Sequence, residues 1–228
     1  MSADAFDSLV AQARGIAAEG EMSIDREVYD TYGQDSLAPL LGGGAVSASV
    51  GVFGRDPGRH EIQWMEPLIG AGGQLVRAGV HRALFGCDPP DFDASREVSK
   101  SVFFSNTVPY KPVGNKAWSM KVKRRFQPII ASYLVDHWAG CDLITLGNVA
   151  FQWFALDKSR EEAAPLRAFW ERESRYEESL SVGLKSSVTG TEKTIHLHPL
   201  PHPSPLNARW YSAFPGLLDQ RLKALGPL

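Results

Sequence analysis

Apolar residues Phe6, Leu9, Val10, Ala13, Ile16 and Ala17 fall three and four apart, the spacing of one helix face, and Gly20 is the expected stop. The pattern then changes. GGGAVSASVGVFG is glycine-rich and β-branched, which predicts one buried strand ending at the Asp56-Pro57-Gly58 turn. Leu75, Val76, Gly79, Val80, Ala83 and Leu84 return to helical spacing behind the tight loop GAGG, and residues 87–93 read as a surface loop. SVFFSNTVP is the next strand, stopped by Pro109. A basic connection then leads to a helix over 126–138, and DLITLG is a short strand running into a helix at NVAFQWF. Helix is expected over 159–175, interrupted or started by Pro165, and EESLSVGL and TIHLHPL read as strands. NARWYSAFPGLLDQRLKAL closes the chain as helix, with Asn207 its cap and Pro215 a kink or a second start.

Strands thus alternate with helices, and the strands are continuous apolar runs. That pattern predicts an α/β protein: a three-layer α/β/α sandwich around a central, mostly parallel sheet of about four strands. No internal repeat or low-complexity linker breaks the chain, so residues 1–228 are expected to form a single domain.

Composition narrows the picture. Of 228 residues, 43% are hydrophobic, enough for one sizeable core. The formal charge of -2 gives no bulk sign of nucleic-acid binding, so any such signal must be local. Cys87 and Cys141 form no CxxC pair and cannot by themselves complete a zinc or iron–sulfur site, so no metal and no cofactor are expected. The N-terminus is acidic and amphipathic, and no apolar run approaches the roughly 20 residues of a membrane span. A soluble, monomeric, cytoplasmic protein without a membrane partner is expected.

In parallel α/β folds, ligands bind beyond the carboxyl ends of the strands. Asp56, Asn106, Asn148 and His202 each follow a strand-like run. Together they make a convergent polar site, although for Asn148 the preferred reading is a helix cap. From Val98 to Val135 there is no acid, whereas Lys100, Lys111, Lys116, Lys121, Lys123, Arg124 and Arg125 fall there with Trp118 and Phe126 between them. This local basic patch suits phosphates.

These residues resemble the uracil-DNA glycosylase superfamily. Gly54-Arg55-Asp56-Pro57-Gly58 is similar to its GQDPYH, GINPG and GEAPG loops, and His202-Pro203-Ser204-Pro205-Leu206 to its HPS or HPSPL motif. Phe104-Ser105-Asn106-Thr107-Val108 resembles the ITNVV-type segment. Lys111-Pro112-Val113-Gly114-Asn115 and residues 66–73 resemble loops of the branch that carries an iron–sulfur cluster. The likeness runs in order from Val46 to Leu206.

The resemblance implies a monofunctional glycosylase that flips uracil out of single- or double-stranded DNA and hydrolyses its N-glycosidic bond. Asp56 would stabilise an oxocarbenium-like sugar and orient water, and His202 would hydrogen-bond the departing base. The implied base pocket is Gly54, Pro57, Gly58, Glu61, Leu68 and Asn106, with the Asn106 amide reading the uracil edge. The implied DNA contacts are Ser204, Arg209, Lys111, Lys123, Arg124 and Arg125, with Leu206 entering the duplex as the nucleotide leaves it.

The sequence also departs from the family. The cluster's cysteines are missing, and Arg55 stands where that branch has its carboxylate. The base-stacking aromatic falls at Leu68, leaving Phe53, Trp64 or an aliphatic wall to replace it. The tyrosine that blocks a thymine methyl falls at Gly58, with Glu61 positioned to take over that gate. Lys123-Arg124-Arg125-Phe126-Gln127 resembles a KRRIH loop whose histidine cross-links to the abasic sugar. Gln127 replaces that histidine, which predicts ordinary turnover. A non-catalytic reader of uracil-containing or abasic DNA and a hydrolase of free nucleosides are the alternatives. The basic patch argues against the latter.

Overall fold

The computed structural model describes residues 3–205 and 207–228. Its strands are β1 (Gly42–Gly44), β2 (Val50–Gly54), β3 (Phe103–Asn106), β4 (Asp142–Leu146), β5 (Leu180–Lys185) and β6 (Glu192–Leu200). They form one sheet in the order β1-β3-β2-β4-β6-β5. The four inner strands are parallel, and β1 and β5 are antiparallel edges. The mostly parallel sandwich is as expected. The sheet is wider than four strands because the chain adds a hairpin at one edge and a glycine strand at the other.

Alternation along each strand sorts side chains onto two faces. Phe53, Phe103, Leu143, Ile195 and Leu197 pack with Leu9, Ala13 and Ala17 of helix Ala3–Ala18 and with Phe126, Ile130 and Leu134 of helix Met120–Asp136. Val52, Phe104, Ile144 and Leu200 pack on the other side with Val76 and Val80 of helix Ala71–Phe85 and Leu218 and Leu222 of helix Phe214–Leu225. Each buried Val, Leu, Ile or Phe among them contributes about 1.5–3 kcal/mol. Both faces are therefore covered, which is why the strands read as unbroken apolar runs.

Several elements differ from the sequence reading. GGGAVSASVGVFG is two strands, because Gly44 turns the chain with a φ of 84° and a turn from Ala45 to Ala48 separates them. Helix Met120–Asp136 starts well before residue 126, since the Ser119 hydroxyl caps it by accepting from Val122 N at 3.3 Å. The KRRFQ run is thus helical, with Gln127 buried, and does not form a loop. Short helices Arg59–Trp64 and Phe92–Glu97 lacked a long periodic signal. Helix Ala164–Trp170 has Pro165 in its first turn, and Pro215 lies in the first turn of a second C-terminal helix after Ala208–Tyr211. Asn148 does not cap. It is exposed in the first turn of helix Gly147–Gln152.

His198 bonds Asp142 Oδ1 at 2.9 Å and Ser179 Oγ at 2.7 Å, and His196 bonds Ser181 Oγ at 2.8 Å. Among the described residues, no helix is long and apolar enough to cross a membrane, and no three His, Cys, Asp or Glu side chains gather to hold a metal ion.

Parallel pairing brings the carboxyl ends of β2, β3, β4 and β6 to one rim. The chain runs from β2 to β3 on one side and then crosses to β4 on the other, so strand order reverses at β2. Such switch points open a crevice for ligands.

Candidate active site

A cavity of about 780 Å³ opens at that rim. Gly54 and Asn106 are register partners, and so are Leu146 and Leu200. The pairing sets Asp56, two residues past β2, and His202, two residues past β6, over the same crevice as Asn106. All three line the cavity, as do Gly54, Pro57, Gly58, Glu61, Leu68 and Ser204. Asn148 does not.

The Asp56 side chain is only 2% exposed. Arg55 Nε donates to its Oδ2 at 2.9 Å, and Oδ1 has no hydrogen-bond partner among the described residues. Burial pushes this carboxyl up to about 6, against the opposing pull of Arg55, Lys123 and Lys111. Asn106 is also buried, and its Nδ2 has no partner among the described residues. Two unsatisfied polar groups in one cavity wall are costly unless a ligand completes them.

His202 stands exposed at the mouth. Protein packed against its inner side, and then the Arg55 charge, lower its pKa from the ordinary histidine value. The imidazole is therefore neutral at pH 7 and able to donate one hydrogen bond. Its backbone is fixed: Ser204 N and Asn207 Nδ2 both donate to His202 O, at 2.9 and 3.1 Å. Gly147 makes room for it, because a Cβ there would sit 2.8 Å from the His202 Cβ.

Glu61 acts as a strap. Its carboxylate accepts from Gly58 N at 3.0 Å, Ile69 N at 3.0 Å and Gly70 N at 2.8 Å, tying the loop after β2 to the loop before helix Ala71–Phe85. Leu68 adopts a left-handed backbone with φ 53°. Fully buried Arg77 holds it there by donating to Leu68 O at 2.7 Å and Pro67 O at 2.9 Å. The aromatic substitutes are corrected. Phe53 packs in the core against Trp153 and Phe154, and Trp64 packs at a tilt against Phe92, so the wall is aliphatic, made by Leu68 and Leu146.

Most of the basic patch is neutralised by acids outside it, all but Glu97 distant in sequence. Lys111 is 3% exposed and pairs with Asp25 at 2.7 Å, so it is a buried structural cation with no reach to a phosphate. Arg125 pairs with Glu19 and Glu21, Lys121 with Glu21, and Lys100 with Glu97. Arg124 and Lys116 are exposed and have no ion pair among the described residues. Lys123 is half-buried, and its charge acts on Asp56 across the cavity wall. Arg209 lies over the Trp210 ring, and Leu206 lies outside the described residues.

The cavity also contains residues that the site reading passed over: Arg55, His60, Asn115, Leu146 and Asn207. Arg55 and Asn115 sit inside the motifs already singled out, so proximity in sequence was the available signal. His60 and Leu146 carried none.

No curated protein matches the chain. A family model described as the uracil DNA glycosylase superfamily matches residues 41–226, a span that begins just before β1 and contains every cavity residue named above. The chain belongs to the uracil-DNA glycosylase superfamily and is, at that level, a glycosylase acting on DNA.

Proposed function

We propose that this protein excises uracil from DNA, binding the flipped nucleotide in the cavity between Asp56 and His202. The carrying observation is the pair of unsatisfied buried groups, Asp56 Oδ1 and Asn106 Nδ2, on residues that line one cavity with His202. Breaking the bond between C1′ and the base leaves positive charge on the sugar and negative charge on the ring. A carboxylate beside the sugar stabilises the first and orients water toward C1′. The neutral His202 ring donates to the base oxygen where the second develops. Asn106 supplies a donor and an acceptor that match the edge of uracil and mismatch that of cytosine.

Ser204, Arg124 and Arg209, with Leu206 by resemblance alone, are the proposed DNA contacts. The same proposal covers one domain, acting as a monomer on single- or double-stranded DNA in the cytoplasm at the nucleoid. The test is a labelled oligonucleotide with one uracil, treated with protein and then alkali. Strand cleavage at the uracil is expected, and intact strands from both single- and double-stranded substrate would refute the proposal.

A non-catalytic reader of uracil-containing or abasic DNA is the second reading, favoured by the aliphatic wall at Leu68. Tight, salt-sensitive binding without base release would establish it.

A further inference from the structure

We propose that Arg55 is a positioning residue for this excision: its guanidinium, clasped between the Asp56 carboxylate and the Asn115 carbonyl, holds the Asp56 side chain in place at the cavity. The inference rests on the excision reading above.

The clasp is built from both ends. Arg55 Nε donates to Asp56 Oδ2 at 2.9 Å, which fixes the carboxylate plane and leaves Oδ1 as the oxygen without a partner. Arg55 Nη2 donates to Asn115 O at 3.0 Å. That carbonyl belongs to a turn in which Gly114 and Asn115 both take left-handed backbone, with φ of 61° and 55°. The Arg55 backbone is anchored as well, since its carbonyl accepts from Thr107 N at 3.0 Å and from the Thr107 hydroxyl. A guanidinium with a fixed backbone and two fixed acceptors has little freedom left, so it can hold a neighbour in place.

The other charged groups near Asp56 do not replace it. Lys123, on helix Met120–Asp136, makes no ion pair with Asp56. Lys111 is already paired with Asp25. Glu61 is bound to three backbone N–H groups, and His60 and His202 stand at the exposed rim. Arg55 is thus the one cation hydrogen-bonded to the carboxylate among the described residues, and the same charge disfavours protonation of His202. Burial alone would drive Asp56 to its neutral form, which neither stabilises a sugar cation nor polarises water.

Full-length Arg55→Gln and Arg55→Lys proteins test this, with kcat and KM followed across pH on a single-uracil oligonucleotide. The Asp56 carboxyl is titrated in parallel by ¹³C NMR on protein without DNA. In Arg55→Gln the Asp56 midpoint is expected to rise by about one pH unit or more, and kcat near pH 6 to fall about tenfold. KM should change less than about threefold, and the loss should shrink as pH rises. Arg55→Lys restores the charge and should return the midpoint toward that of the unaltered protein. An unchanged midpoint in Arg55→Gln, or a loss that is independent of pH and falls on KM, overturns the proposal. If the unaltered protein releases no base, the excision reading fails, and the NMR titration still decides whether Arg55 governs Asp56.

Discussion

Gly54 and Asn106 face each other at the ends of β2 and β3, and a Cβ on Gly54 would lie 2.7 Å from the Asn106 side-chain oxygen. The glycine therefore sets how deep the amide sits. Gly54→Ala should push the amide out of place and lower kcat/KM at least about tenfold, because misplacement of a recognition group by less than an ångström disrupts the reacting geometry. Steady-state kinetics on a uracil oligonucleotide check this. A variant that folds and turns over at the original rate would show that the amide has no part in recognition.

Asp56 links activity to a cost in stability. Its carboxyl titrates near 6 in the folded protein against an ordinary value of 3.8. Between those values the unfolded chain holds fewer protons than the folded one, so stability falls as pH rises through the window and stays reduced above it. Asp56→Asn should therefore stabilise the fold by on the order of 2 kcal/mol near pH 8 and by almost nothing near pH 3. Urea unfolding at the two pH values measures it, and equal effects at both would contradict the buried, ionised carboxylate. The same titration gives an acid limb: excision should rise as pH increases through about 6.

Glu61 satisfies three backbone donors with two oxygens. Glu61→Gln offers one acceptor in place of two and turns an amide toward an N–H group. A destabilisation of about 1–3 kcal/mol is expected, together with weaker excision, because both cavity loops lose their strap. Thermal unfolding and kinetics on the same preparation test the pair. Lost activity with unchanged stability would return Glu61 to the gating role that the sequence suggested.

Much of this architecture is legible in the sequence, and the exceptions have physical causes. Phe53, Val52, Phe104 and Ile144 announce buried strands because both sheet faces are covered. Asp56 and His202 can be placed because they follow such strands, and a parallel sheet brings those ends together. Lys111 and Arg125 could not be read correctly. Their partners Asp25, Glu19 and Glu21 lie some eighty or more residues away, and a charge run in sequence does not reveal which acids the fold brings to it. The aliphatic wall at Leu68 is one of the options the sequence offers, but its left-handed backbone is not legible there, because Arg77 from the next helix imposes it.

That distinction separates two cations sharply. Lys111→Met leaves Asp25 half-sealed without its partner and should cost stability by about 3 kcal/mol, with no change in the salt dependence of DNA binding. Arg124→Ala should leave stability alone, weaken DNA binding, and reduce the salt slope by about one. Binding titrations over a range of salt concentrations, beside denaturant unfolding, distinguish the two. A reduced salt slope in Lys111→Met would place that lysine at the DNA after all.

The most direct measurement is the appearance of free uracil, followed by mass spectrometry, when the protein meets uracil-containing DNA. Release by the unaltered protein and loss of at least about a hundredfold in both Asp56→Asn and His202→Ala is the expected result. Tight binding with no released base, or equal release by both variants, would contradict the assignment of this cavity to base excision.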